Sequence, residues 1–399
     1  MAIPPYGGTL VERVVTDDEL ADGVRSTAHP GISLTNDDLI TLGNLAHGHY
    51  SPLAGFMTQS EYEGVIENAR LPSGLAWTIP VLLHVAEADR DALKGQSRLA
   101  LHDGRGRAVA TVEVTEVFEI DPERHCAGTF GTTSPDHPGV QDLMKRPRFC
   151  IGGPIHVGAT AFPALRHQHR PAQNRQLLED TGKATFTAFS TRNICHLGHD
   201  YLHRLALEKT DVLGINVITG AQVKGNFLSD VVFDTYEYLI LSRYPTGRVL
   251  LNNLRLPPIY AGPREAFLQA IVLQNLGFTQ FIVGRDHAGI GSYYPKYGSQ
   301  EIFSQLSGLE IEIMAIPEPR YCNVCREVTT EISCPHGGAD VRLLNGRDVR
   351  RFLLEKRYNE LESILGGEVQ DILIRMFEER TSPATDEVEM VKSRPLLYD

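Results

Sequence analysis

Up to about residue 165, apolar positions come in short runs separated by turn-forming residues. Thr78-Ile-Pro-Val-Leu-Leu-His84 and Ala108-Val-Ala-Thr-Val-Glu-Val-Thr115 are two such runs, and His102-Asp-Gly-Arg-Gly106 is a polar, glycine-bearing reversal. This pattern predicts a mostly β N-terminal region. Residues 163–176, with Pro, Arg, Gln and Asn, read as a boundary. Beyond residue 180 the pattern changes. Apolar runs at Ala184–Phe189, Val212–Ile218, Val249–Asn252, Phe281–Gly284 and Ile311–Ile316 predict strands, with helical spacing between most of them. His199–Lys209 puts Leu202, Leu205 and Ala206 on one face, and Arg264–Leu276 begins beside Pro263 and stops at Gly277. Strands alternating with helices predict an α/β fold with a parallel, doubly wound sheet. Ligands of such sheets bind beyond the carboxyl ends of the strands, which directs attention to the loops after Phe189 and Val283. The C-terminal part carries a cysteine cluster, then charged helical stretches at Arg347–Lys356 and Glu368–Arg380, and a loosely ordered tail after Thr381.

The first loop runs Phe189-Ser-Thr-Arg-Asn-Ile-Cys-His-Leu-Gly-His-Asp200. A helix start offers unpaired N–H groups and positive potential, which suit phosphate. His196 and His199, three apart, can face one way around Gly198, where the missing side chain lets a ligand approach the backbone. Arg192 supplies a fork of donors for a tetrahedral oxyanion, and Thr191 and Asn193 add neutral donors. Taken alone, such a His pair is equally compatible with a solvated surface or a metal. The second loop, Phe281-Ile-Val-Gly-Arg-Asp-His-Ala-Gly-Ile-Gly291, combines glycines with Arg285, Asp286 and His287. Arg285 suits a polyphosphate, and Asp286 and His287 suit orienting it or holding a ribose. The plain alternative is a turn with an Arg285–Asp286 ion pair.

Cys322, Cys325, Cys334 and His336 have the spacing C-x2-C-x8-C-x-H. Thiolates and an imidazole in a tetrahedral set suit structural Zn2+. His336 is the only histidine after Cys334, with Asp340 or a water as substitute ligands and unmetallated thiols as the alternative.

Composition narrows the function. The 399 residues hold 38 basic and 50 acidic side chains, a net charge of −12 that disfavours a general nucleic-acid binder. No apolar run approaches the ~18 residues of a membrane span. The N-terminus lacks the basic-then-apolar pattern of a leader, and six cysteines, three of them clustered, point to a reducing, cytoplasmic setting. Trp77 reads as core, Cys195 as packed, and His125, His167 and His169 as solvated.

Together the two loops resemble the ATP sulfurylase, or sulfate adenylyltransferase, family. Its members carry Gln-x-Arg-Asn running into His-x-x-His, and later Gly-Arg-Asp-His-Ala-Gly. This chain has Thr191-Arg-Asn193, His196 and His199, and then Gly284-Arg-Asp-His-Ala-Gly289. Gly48-His-Tyr-Ser-Pro-Leu-Ala-Gly-Phe-Met57 and Tyr260-Ala-Gly-Pro-Arg-Glu-Ala266 resemble further family segments.

The resemblance implies an N-terminal PUA-like β domain over 1–168. A Rossmann-like nucleotidyltransferase domain with a parallel sheet follows over 169–328, and a small C-terminal domain over 329–399. The cysteine cluster falls at that last boundary, and some bacterial members carry a similar structural zinc knuckle. No fused kinase domain is expected. It further implies adenylyl transfer from ATP, bound with Mg2+, to sulfate, giving adenylyl sulfate and pyrophosphate by in-line attack at the α-phosphorus. Arg192 would hold the attacking anion, with Ser190 and the Ala288 N–H beside it. Thr191 and Asn193 would support the transferring phosphoryl group. His196 and His199 would contact phosphate oxygens, and Arg285 the nucleotide phosphates, with Gly198, Gly284, Asp286, His287 and Gly289 lining the nucleotide. Neither nucleic acid nor membrane is an expected partner, and a homodimer or larger assembly is.

Several positions depart from the family pattern. Ser190 stands where the family has Gln, Ile194-Cys195 for Pro-Leu, Asn216-Val-Ile-Thr-Gly220 for His-Pro-Leu-Val-Gly, and Pro258-Ile259 for Met-Arg. The nucleotide motifs are kept and the anion side is altered. That leaves open another oxyanion, an organic phosphate or phosphonate as acceptor, or a non-catalytic ATP-binding relative.

Overall fold

The computed structural model describes residues 2–27, 31–93, 95–220 and 226–381, so the expected loose tail after Thr381 lies outside the described residues. The chain forms two compact units, each discontinuous in sequence: residues 1–182 with 255–313, and residues 183–254 with 314–399. Among the described residues, no helix is long and apolar enough to cross a membrane.

The first unit is organised by one long strand, Phe149–Gly158. Gly55–Phe56, Leu83–Val85, Ala108–Glu113 and Glu116–Glu119 pair with it antiparallel, and Val14–Val15 parallel. So many partners leave no room for side chains at the crowded points. A Cβ on Gly153, whose φ is +150°, would lie 1.9 Å from the Glu113 carbonyl oxygen, and one on Gly152 would lie 2.7 Å from that of Met57. The expected run Ala108–Thr115 is strand over Ala108–Glu113. The expected run Thr78–His84 is strand only from Leu83. Pro80 lacks a ladder donor, so the preceding residues stay irregular yet buried, and Trp77, fully buried as expected, donates its indole N–H to the Ile79 carbonyl at 2.7 Å.

This region holds more helix than its apolar runs predict. Asp17–Arg25, Asn36–Ala46 and Gln59–Asn68 are helices, each opened by a threonine whose side chain accepts the third N–H of the helix while an acidic side chain returns the bond. Those capping boxes, Thr16/Glu19, Thr35/Asp38 and Thr58/Glu61, were legible as Thr-x-x-acid spacings. Residues 171–176 of the expected boundary are likewise the first turns of a helix, Pro171–Asp180, with proline in its first turn.

Helix Pro263–Asn275 is buried from Glu265 onward, and polar side chains fasten it to the β layer. Asn275 accepts the Tyr6 N–H at 2.9 Å and donates to the carbonyls of His49 and Ser51 at 3.0 and 3.1 Å. Arg264 donates to the carbonyls of Val65 and Thr78 at 3.0 and 3.1 Å. Both conspicuous segments, 48–57 and 260–266, thus hold this unit together.

In the second unit, Phe186–Thr191 pairs in parallel with Val212–Thr219, in a register running from Phe186 opposite Val212 to Thr191 opposite Val217. Val249–Arg255 lies on the other side of Val212–Thr219. Helix Leu197–Leu207 connects the first pair, and helix Ser229–Ser242, absent from the sequence expectation, connects the second. Further on, Arg320–Cys322 pairs antiparallel with Glu327–Thr329 and Val341–Leu343, and three helices follow, Gly346–Leu354, Tyr358–Leu365 and Gly367–Thr381.

The expectation of a solvated His125 is wrong: it is 6% exposed, against the Tyr62 ring. Burial pushes it from 6.5 down to about 3, and likewise His47 to about 4 and His49 to about 3. These imidazoles stay neutral in the fold and take protons only when the chain unfolds. Stability is therefore complete above pH 6.5 and falls as pH drops toward 4, by about 1.4 kcal/mol per pH unit for each such histidine. Urea titrations at pH 7.5, 6.5 and 5.5 check this, and equal midpoints at all three would contradict it. Asn275→Ala strands the Tyr6 N–H and two buried carbonyls. It is expected to lower stability by about 3 kcal/mol, measured as a shift in the urea midpoint at constant slope.

Candidate active-site loops and a metal-ligating cluster

The loop after Phe186–Thr191 is folded by its own side chains. Thr191, nearly buried, accepts the Asn193 N–H on its hydroxyl at 3.1 Å. His196 is the N-cap of helix Leu197–Leu207, and its Nδ1 accepts the His199 N–H at 3.3 Å. That bond requires a lone pair on Nδ1, so the proton of the neutral ring sits on Nε2. Burial holds His196 near 4, which keeps the ring neutral at pH 7. The two rings stack with centroids 3.7 Å apart, and His199 is driven well below the usual range by burial and by its neighbours His196 and His203. A Cβ on Gly198 would lie 3.1 Å from the His196 ring, so glycine there makes room for the cap itself. Arg192 is half-buried at the loop's first turn. The loop therefore gathers Thr191, Asn193, His196 and His199 at one helix start, with neutral donors and a positive helix end.

A second row of residues stands behind them. His203 Nδ1 lies 2.8 Å from the Tyr244 hydroxyl, which donates to Asp200 at 3.0 Å, and Asp200 pairs with Arg204 at 2.9 Å. The tyrosine has one proton and gives it to the carboxylate, so His203 donates from Nδ1. The spacing of His203, four residues after His199 on the same helix, is a signal of its place in this row, whereas Tyr244 has none in the sequence. Cys195 is buried beside this relay, and burial raises its thiol far above the usual range, leaving an unreactive packing group, as expected.

The altered positions divide. The Ser190 hydroxyl is buried without a hydrogen-bond partner among the described residues. Asn216, opposite Ser190 in the ladder, is fully buried. Its amide donates to the Phe189 and Gly214 carbonyls at 3.3 and 3.0 Å and accepts from Asn252 at 3.1 Å, so it serves the sheet. In the first unit, Ile259 lines a cavity of about 300 Å³ together with Pro257, Pro258 and Tyr260.

The loop after strand Gln280–Val283 belongs to the first unit and is braced from behind. His287 Nε2 meets Gln269 Oε1 at 2.8 Å, while Gln269 donates to Glu265 at 3.3 Å, which turns the amide oxygen toward the ring. The Asp286 N–H donates to the Lys296 carbonyl at 2.9 Å, and Ser299 donates to the His287 carbonyl at 2.7 Å. Asp286 and Ala288 adopt left-handed φ of 49° and 57°, conformations that the surrounding bonds hold in place. The Ala288 carbonyl accepts the Gly262 N–H, whereas its own N–H makes no hydrogen bond among the described residues. A Cβ on Gly289 would lie 2.0 Å from Asp286 Oδ1, so any other residue there would force the Asp286 side chain aside. The surroundings of Gly284 are open, and Arg285 is exposed.

Cys322, Cys325, Cys334 and His336 converge, with their ligand atoms all within 4.8 Å of one another. The Cys325 and Cys334 sulfurs are 3.7 Å apart, too far for a disulfide, and His336 Nδ1 lies 3.4–3.5 Å from all three sulfurs. Metal–sulfur bonds of about 2.3 Å and metal–nitrogen bonds of about 2.0 Å at tetrahedral angles put sulfurs about 3.8 Å apart and sulfur and nitrogen about 3.5 Å apart. The donor set therefore fits a tetrahedral ion, and the one-residue gap between Cys334 and His336 does not prevent His336 from completing it.

Residues 166–375 match the ATP-sulfurylase family model, and residues 3–159 match the PUA-like domain. The sulfate adenylyltransferase of Hyperthermus butylicus is 38% identical over 379 residues, covering 94% of this chain and 96% of that protein. That of a Synechococcus species is 37% identical over 391 residues, covering 96% and 98%. Among solved structures, a hexameric APS kinase from Thiobacillus denitrificans shares the fold, with a TM-score of 0.69 at 24% identity over 95% of this chain and 69% of that one. The PUA-like region, the parallel strand–loop–helix unit with its histidine cap, and relatives similar over nearly their full length all lead to one assignment: the chain belongs to the ATP-sulfurylase family.

Proposed function

We propose that the chain transfers the adenylyl group of MgATP to sulfate, releasing pyrophosphate and forming adenylyl sulfate. The observation that carries this reading is the His196-capped loop, which offers an uncharged Nε2–H, an amide and a guanidinium at a helix start. Sulfate is fully ionised near neutrality and needs no general base. The barrier lies in bringing a dianion to a polyanion and in stabilising charge on the transferring group, so catalysis rests on positioning and electrostatics. Arg192 holds the attacking sulfate, Ser190 reaches it through a water, and the Ala288 N–H is a further donor to the anion. Thr191 shapes the turn, and Asn193 donates to the transferring phosphoryl group. The Nε2–H of His196 and the ring of His199 contact phosphate oxygens. Arg285 binds the nucleotide phosphates, with Gly198, Gly284, Asp286, His287 and Gly289 forming the nucleotide's side of the site. Neutral histidines suit this task, because they donate without needing to be charged as substrate enters.

Pyrophosphate release from MgATP with sulfate, with other oxyanions, with organic phosphates or phosphonates and with no acceptor tests the proposal. Release that depends on sulfate is expected. Release that ignores the acceptor, or none at all, overturns it. Arg192→Ala is expected to lower kcat/KM for sulfate by about 10²–10³-fold while the protein stays folded. A second reading, another oxyanion as preferred acceptor, is favoured by the unpartnered buried Ser190 hydroxyl. The same panel decides it, through the ranking of kcat/KM values.

At Cys322, Cys325, Cys334 and His336 the ion is Zn2+, which suits three thiolates and an imidazole, and its role is to fasten the small sheet that carries them. Purified protein is expected to contain stoichiometric zinc and to lose it in Cys322→Ser, with a lower melting temperature. A fully folded, metal-free sample with every thiol titratable would count against it. The reduced thiols that this site needs support a reducing, cytoplasmic setting.

A further inference from the structure

Asn193 joins its loop to helix Gly346–Leu354, the first of the three helices that follow the small sheet. Its Oδ1 accepts a hydrogen bond from Arg350 Nη1 at 3.1 Å, across 157 residues of sequence. At the start of that helix the backbone presses on the same amide. A Cβ on Gly346 would lie 2.7 Å from Asn193 Oδ1 and 2.9 Å from its Cγ. Asn345 caps the helix by accepting the Asp348 N–H at 2.9 Å, which fixes where Gly346 and Arg350 stand.

The charge pattern on this helix is selective. Arg351 pairs with Asp348 at 2.7 Å, whereas neither Arg347 nor Arg350 has a carboxylate partner among the described residues. Arg350 is half-buried, its guanidinium disfavoured by burial and by neighbouring Arg347. In a chain of net charge −12, a half-buried arginine directed at an amide rather than an acid calls for a reason.

An amide has one accepting end and one donating end, and guanidinium only donates. Arg350 therefore commits Oδ1 and leaves Nδ2, which makes no hydrogen bond among the described residues, as the end that faces a ligand. The adjacent positive charge also polarises the amide and strengthens those two N–H donors. We propose that Arg350 is a positioning residue for adenylyl transfer: it locks Asn193 with its donors toward the transferring phosphoryl group. This rests on the role given above to Asn193. It makes helix Gly346–Leu354 a working part of the catalytic loop.

The test is a double-mutant cycle on the full-length enzyme. Its axes are Arg350→Met, which removes the donors but keeps most of the stem, and Asn193→Ala. Arg350→Lys, which retains a donor and a charge, is measured alongside. Arg350→Met is expected to lower kcat roughly 10- to 100-fold with much smaller changes in KM for ATP and sulfate. In the Asn193→Ala background it should cost nothing further, and Arg350→Lys should restore most of the rate. Multiplicative losses would show that Arg350 acts independently of Asn193, and a wild-type rate in Arg350→Met would show that it does not act; either overturns the inference. If Arg350→Met fails to fold, the cycle is run with Arg350→Gln, whose shorter side chain withdraws the donor from Asn193 but keeps a polar end; a wild-type rate, or a loss that persists without Asn193, likewise overturns it. A wild-type enzyme with no sulfate-dependent pyrophosphate release would instead defeat the functional reading itself, before any variant is compared.

Discussion

The hydrogen bond from the His199 backbone to His196 Nδ1 sets the chemistry of the second unit. It caps a helix whose first N–H groups would otherwise be unpaired, and in doing so fixes which ring nitrogen keeps its proton. Burial does the rest by holding the ring uncharged. Had His196 been exposed, it would titrate near neutral pH, and the loop's charge would vary over the range in which enzymes work. A buried, stacked pair offers a constant donor. The cap also explains Gly198, since the ring occupies the space a side chain would need.

The first unit reaches a comparable rigidity through backbone. Its second loop carries left-handed residues at Asp286 and Ala288 and a glycine pressed against Asp286, conformations that persist only where the surroundings over-determine them. Glu265, Gln269 and His287 form a chain of oriented dipoles behind that loop, and Ser299 and Lys296 hold it on the other flank. The helix supplying Glu265 and Gln269 is itself held by Arg264 and Asn275. Most of the polar side chains in the motif segments thus hold backbone in place, and few are left to face a ligand.

The C-terminal region has two jobs in the second unit. Its cysteine and histidine donors, carried on and beside a small three-stranded sheet, gather into a set that fits a tetrahedral ion. The helix beyond that sheet then places Gly346 and Arg350 against Asn193. The contact of Gly346 and Arg350 with Asn193 connects the shape of this region with the shape of the loop.

The sequence by itself determined the alternation of strands and helices after residue 180, the two strand-end loops and the metal-ligand spacing. Each of these is written in near neighbours, either as a repeating apolar period or as side chains a few positions apart. The helices of the N-terminal region were also legible, in threonine-to-acid caps that the apolar runs obscured. What only the tertiary structure decided depends on partners far apart in the chain. Asn216 looked like an altered ligand position and is a buried support for the sheet, because Asn252 and two carbonyls meet it there. His125 looked solvated and is core, because the Tyr62 ring packs against it. Arg350 carried no signal, since an arginine on a charged helix is indistinguishable from a solvated one until the fold brings an amide to it. Short-range chemistry can be read from spacing, but the use of a polar side chain is settled by whether water or another segment takes its hydrogen bond.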